Sequence, residues 1–311
     1  MQNNLHNEIV AVLSNSQSEL WFPHLTARLV RVGWQKLFAE TGIAESNYCT
    51  ARVLLKNCAA PNFVNFSLNA ANRGAAIKTQ IEMLAPSIVE HYRTSGVNFY
   101  ATEELLAFEA SDNAIFAYLQ NAFEIIEQVP SLFATVTALV KALHLIKPES
   151  HEYDMSFSEP HVPFSIFISV PQKKSEINSL RVAEAIVHEA MHLQLTLIEA
   201  VVPLVAGGGG KFYSPWRSEL RDAAGVLHAL YVFRVLDEFF IDLIGASSFS
   251  PHQNYLADRR NLISNQISEI EDFKNCANLT ESGRILVQRL LEKQEPTTHT
   301  PNTPKSLAPS N

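Results

Sequence analysis

The chain is short of the features that mark several protein classes. It has three cysteines in 311 residues, Cys49, Cys58 and Cys276, an odd number without metal-ligand spacing. That argues against a disulfide framework and fits a reducing cytoplasm. Basic clusters are scarce: only Lys173-Lys174 and Arg259-Arg260 stand side by side, and the formal net charge is -8 with a pI near 5.8. Phosphate binding needs a basic face, so nucleic acid is not expected as a partner. No uninterrupted apolar run reaches bilayer length, and the opening "MQNNLHNEIVAVLSN" carries neither a basic leader nor a long apolar stretch behind it. Neither membrane insertion nor secretion is expected. No internal repeat is present.

What the chain has is an ordinary globular composition, 47% hydrophobic and 18% charged, enough for one large core or two smaller ones. Helical apolar spacing predicts helices over 25–41 and, behind the N-cap candidates Ser111 and Asp112, over 111–129. The segment "PSLFATVTALVKALHLI" (130–146) reads as a further helix with Pro130 in its first turn. The texture changes after Lys147. "YDMSFSEPHVPFSIFISVP" (153–171), rich in Phe, Ile, Val and Ser and broken by prolines, predicts one or two short strands. An exposed sheet edge there can pair with an extended peptide. A long helix over 179–200, a flexible "GGGG" at 207–210 and a second long helix over 216–245 follow. The expected fold is mainly α (α+β). It comprises a helical N-terminal lobe at 1–147, a catalytic region at 148–290 with a short sheet packed on its first long helix, and a disordered Pro/Thr-rich tail at 291–311.

The first long helix carries the chemistry. Within "AEAIVHEAMHLQL" (183–195), His188 and His192 are four apart and therefore share a helix face, with Glu189 directly after the first: the H-E-x-x-H pattern. The helix is otherwise apolar on nearly every side, and through it Glu184, His188, His192 and Thr196 repeat every four residues as one polar stripe. Buried polar groups need partners, and a metal ion is one. Glu184 is placed to accept a bond from a ligand histidine.

Two imidazoles underhold an ion, so a third ligand is expected. The extended motif that would supply a third histidine on the same segment is absent, since Leu195 and Ile198 stand at its positions. On the second long helix the candidates are Glu219, Asp222, His228, Glu238 and Asp242. His228, in "GVLHALYVF", ranks above Glu238. Arg217 and Arg221, eleven and seven residues before His228, are suited to bidentate capture of a carboxylate. A zinc peptidase would use His188, His192 and Glu238, with Glu189 as general base on a metal-bound water. An Fe(II) oxygenase would use three facial protein ligands and leave positions open for a 2-oxo acid and dioxygen. A closed four-ligand site would instead hold a structural zinc.

"LRVAEAIVHEAMHLQL", "YSPWRSELR" and "GVLHALYVF", preceded by "HVPFSIFISVP", resemble the HExxH-motif peptide-modification proteins found beside ribosomally made precursor peptides. The resemblance covers about residues 140–245. It implies an Fe(II)- and 2-oxoglutarate-dependent dioxygenase that hydroxylates a precursor peptide at a side-chain β-carbon, with a radical SAM enzyme of the same pathway as a partner. It implies His188, His192 and His228 as metal ligands and Arg217 and Arg221 as 2-oxoglutarate-binding residues. Many members carry Pro after the second arginine, where this chain has Asp222.

Overall fold

The computed structural model describes residues 2–50, 53, 68–69, 76–77, 79–82, 113–146, 155–160, 162–171, 175–246 and 252–292. Cys58, the caps expected at Ser111 and Asp112, and the tail from residue 293 lie outside them. Among the described residues the fold is mainly helical with a small sheet. The helices are α1 (Gln2–Ser14), α2 (Pro23–Thr41), α3 (Asn113–Glu127), α4 (Pro130–Leu139), α5 (Asn178–Glu199), α6 (Ala223–Gly245), α7 (Gln253–Ser268) and α8 (Glu281–Leu291). None of them is long and apolar enough to cross a membrane.

Four strands, β3 (Gln80–Ile81), β4 (Ala142–Ile146), β5 (Ser156–Ser158) and β6 (Ser165–Ser169), form a sheet in the order β3-β4-β6-β5; a separate two-stranded pair joins β1 (Leu68–Asn69) to β2 (Ala76–Ile77). The pairs β3/β4 and β4/β6 are parallel, while β5 runs antiparallel to β6. β4 corrects the sequence expectation of helix over 130–146. The helix stops at Leu139, Val140 turns extended, and 142–146 becomes an inner strand buried along its whole length. A strand covered on both faces shows a continuous apolar run, which periodicity cannot tell from a buried helix segment.

The division expected at residue 147 falls between β4 and β5, two strands of one sheet, and a single hydrophobic core runs from Leu5 to Leu290. The reason lies in α5, which is buried nearly all round. It packs on α2, α3 and α4 from the N-terminal half, on α6 from the C-terminal half, and on β5 and β6. At about 1.5 Å per residue it crosses roughly 33 Å, the width of a small domain. Its polar core residue Gln194 is fully bonded, donating to the Trp21 carbonyl and Thr26 Oγ1 and accepting from the Tyr231 hydroxyl.

The expected helix over 216–245 starts later. Residues 211–222 form a hairpin of β7 (Lys211–Ser214) and β8 (Glu219–Asp222), and only then does α6 begin. Pro215 lies in the turn closed by Arg217 N–H donating to the Ser214 carbonyl, and Asp222 caps α6 by accepting from Gly225 N–H at 2.7 Å. Two of the four glycines before the hairpin, Gly208 and Gly210, lie against Asn278. Ala206 N–H donates to the Asn278 carbonyl, and a Cβ on Gly208 would fall 2.0 Å from the Asn278 amide.

Candidate metal centre

His188 and His192 sit one turn apart on α5 and face a cavity of about 850 Å³. The far wall comes from α6 and the β7/β8 hairpin, and one side comes from β5. His228, Arg217, Arg221 and Glu189 also line this cavity. The cavity therefore brings together His188, His192, His228, Arg217 and Arg221, the residues that the resemblance implies for metal and oxo-acid binding.

The two α5 imidazoles approach through Nε2 atoms 3.2 Å apart. Two nitrogens bound to neighbouring positions of one ion, at bonds of about 2.1 Å, stand roughly 3.0–3.4 Å apart, so this pair fits a shared metal. His228 enters differently. Its Nδ1 lies 3.2 Å from His192 Nδ1, and its Nε2 is 2.8 Å from Glu199 Oε2. Among the described residues no set of three or more histidine, cysteine or carboxylate side chains is arranged around one common point. The three rings instead form a hydrogen-bonded chain ending on Glu199.

With neutral imidazoles one proton assignment satisfies the whole chain. The Glu199 carboxylate can only accept, so His228 Nε2 donates to it and His228 Nδ1 keeps a lone pair. His192 Nδ1–H then donates to that lone pair, and His192 Nε2 accepts from His188 Nε2–H. Metal binding would displace the last of these protons, as metal sites ligated by histidine commonly require.

Electrostatics hold the α5 rings neutral. Burial lowers the His188 pKa to about 4, helped by the positive charges of Arg217 and Arg259, although 22% of its side chain is exposed. Burial also takes His192 well below the usual histidine range, and the neighbouring His188, His228, Arg221 and Arg217 act in the same sense. Phe233 stands edge-on to His188, and Trp216 stacks on Phe233 at 5.2 Å. These rings fix the imidazole plane and narrow access to water.

Glu189 is 1% exposed. Its Oε1 accepts from Ser156 Oγ at 2.7 Å, while Oε2 has no hydrogen-bond partner among the described residues. Burial raises its pKa to about 7 against the opposing pull of Ser156, Ser158 and Arg217. The two serines are alternate residues of β5 and so share a strand face. Sequence reading predicted the strand but not this contact; the S-x-S spacing shortly before the HExxH helix was the available signal.

Of the remaining candidates Glu219, on β8, lines the cavity, while Glu184 and Glu238 are engaged elsewhere. Glu184, expected to support a histidine, is taken by α7: Arg259 forks onto it and the Tyr255 hydroxyl donates at 3.0 Å. Glu238 lies ten residues beyond His228 on α6, about 15 Å along the helix axis. It accepts from Leu20 N–H at 3.4 Å and does not line the cavity. Arg217 and Arg221 stand on the hairpin, not on a helix, with Arg217 exposed and Arg221 half-buried. A Cβ at Gly225 would meet the Arg221 guanidinium at 3.0 Å, so glycine there makes room for it. Asp222, the departure from the expected Pro, is the N-cap of α6 and leaves the arginine before it on β8. Glu199 is not among the ligand candidates read from the sequence. It lies seven positions after His192, two turns along the same face, and reaches across to His228. Compared with known proteins, the chain matches no family model and no curated protein.

Proposed function

We propose that the protein is an Fe(II)- and 2-oxoglutarate-dependent dioxygenase that hydroxylates a ribosomally made precursor peptide at a side-chain β-carbon. The observation that supports this best is the composition of one cavity: His188, His192 and His228 share it with Arg217 and Arg221, while Glu238 lies outside. His188, His192 and His228 would hold the metal, leaving positions open as oxygenases of this kind require. Iron and 2-oxoglutarate, when bound, supply the oxidation of a C–H bond by dioxygen. The chain's own residues bind, orient and exclude water. Arg217 and Arg221 offer planar forks to the distal carboxylate of the oxo acid. Glu189, clamped by Ser156, presents its other oxygen as an acceptor for a substrate N–H or O–H. β5 lies alongside, and an extended peptide would run past it to reach the metal. On this reading the enzyme works in the cytoplasm, with a radical SAM enzyme of the same pathway as a partner.

One observation favours a second reading, a zinc peptidase. A buried carboxylate with a pKa near 7 directly beside the histidine pair suits a general base on metal-bound water. Its third ligand would have to be His228, since Glu238 is remote. Incubating anaerobically purified, iron-loaded protein with its precursor peptide and 2-oxoglutarate, then weighing the peptide, separates the two. A gain of one oxygen atom supports hydroxylation, and cleavage supports the peptidase.

A further inference from the structure

We infer that the outer edge of β5 is the docking strand for the substrate peptide. An extended segment adds to the sheet there through the backbone of Ser156 and Ser158, and the residue it presents to His188 is the one directly opposite either serine. The inference rests on the proposed peptide substrate and adds how that peptide is held and which of its positions reaches the site.

Strand register and the shape of the cavity carry it. β5 stands last in the sheet order β3-β4-β6-β5, and among the described residues no strand pairs with its outer edge. Ser169 N–H donates to the Met155 carbonyl at 2.8 Å, so 155 and 169 are a hydrogen-bonded pair. The alternation of an antiparallel ladder then makes Phe157 and Phe167 the next such pair and turns the N–H and C=O groups of Ser156 and Ser158 outward. Successive strand side chains point to opposite faces, yet residues 155–160 all line the cavity, so the cavity runs along the edge of the strand and not over one face alone. An outward row of backbone donors and acceptors is complemented by another extended backbone. Because this edge lies inside a cavity, a single extended segment fits it better than the edge of a second folded copy.

The same register decides which peptide residue reaches the histidines. Ser156 Oγ donates to Glu189 Oε1 at 2.7 Å, and that oxygen lies 3.8 Å from His188 Nε2. Phe157, on the opposite face, stacks on Phe167. Residues directly opposite each other on neighbouring strands put their side chains on the same face. A peptide residue opposite Ser156 or Ser158 therefore points toward His188, and its two neighbours point away, whether the added strand runs parallel or antiparallel.

The test measures binding of the dye-labelled precursor peptide to the full-length protein by fluorescence anisotropy, with each peptide N–H methylated in turn. Pairing with a strand edge uses the N–H of every second residue, so binding is expected to weaken at alternate positions, by roughly 5–100-fold each. Ser158→Pro removes one outward N–H, which proline at a strand edge does without breaking the ladder, and is expected to bind more weakly than Ser158→Ala by a similar factor. Tolerance of every N-methyl group, loss without alternation, or equal binding by the two Ser158 variants would overturn the inference. A native dimer that separates in Ser158→Pro would give the edge to a second copy instead. The N-methyl series leaves the protein unaltered, so it decides the matter even if Ser158→Pro does not fold. A peptide that binds with the alternation but gains no oxygen would leave the edge assignment standing and remove the hydroxylase reading.

Discussion

Replacing Glu238 with glutamine separates two roles that predict opposite results. If Glu238 were the third zinc ligand of a peptidase, Glu238→Gln would strip the metal. The structure instead puts it against Leu20 N–H in a buried setting near Arg289 and Arg234, where burial raises its pKa from 4.5 to about 7. The sign follows from linkage. Between pH 4.5 and 7 the folded protein binds more protons at this site than the unfolded chain, so stability falls as pH rises through that window. The displacement corresponds to at most about 3 kcal/mol, at about 1.36 kcal/mol per tenfold change in proton affinity. Glutamine stands in for the protonated acid and keeps an acceptor for Leu20 N–H. Glu238→Gln should therefore be more stable than the native protein at pH 8 by an amount of order 1–3 kcal/mol. The difference should vanish as the pH is lowered toward 4.5, and metal content should be unchanged. Urea denaturation at pH 5 and pH 8, with metal analysis of the same samples, measures all three. Lost metal together with unchanged stability at pH 8 would refute the placement of Glu238.

Further outcomes are expected at the site and in the core. His228→Ala should lower metal content about as much as His188→Ala or His192→Ala, and a folded His228→Ala protein that keeps its iron would remove His228 from the ligand set. Arg217→Ala or Arg221→Ala should raise the 2-oxoglutarate concentration needed for half-maximal turnover while leaving metal bound; unchanged requirements in both would move the carboxylate clamp elsewhere. Glu189→Gln should leave hydroxylation measurable, because abstraction of hydrogen from carbon needs no general base, whereas a peptidase would lose turnover completely. Gly283→Ala should destabilise the fold by more than about 2 kcal/mol, since the added Cβ would lie 1.9 Å from the Leu204 carbonyl oxygen; an unchanged melting temperature would show that this contact can relax.

The HExxH helix was legible in the sequence because its evidence is local. The four-residue spacing of His188 and His192, the apolar residues around them and the strand-like texture of 153–171 all lie within a few turns of chain, and the helix ends observed at Asn178 and Glu199 match the expected 179–200 closely. Asp222 is equally readable as a cap, but the sequence expectation puts it inside the helix as a ligand candidate and so starts that helix too early. Only the tertiary structure decided the rest. Which carboxylate meets which histidine depends on how α5 and α6 cross, so Glu199 reaches His228 while Glu184, one turn from His188, is captured by Arg259 of α7. That 142–146 is a strand depends on β3 and β6 flanking it, because a buried apolar run acquires its period from its neighbours. The pairing of Ser156 with Glu189 depends on strand register against a helix 33 residues further on, and no local spacing encodes a contact that packing alone creates.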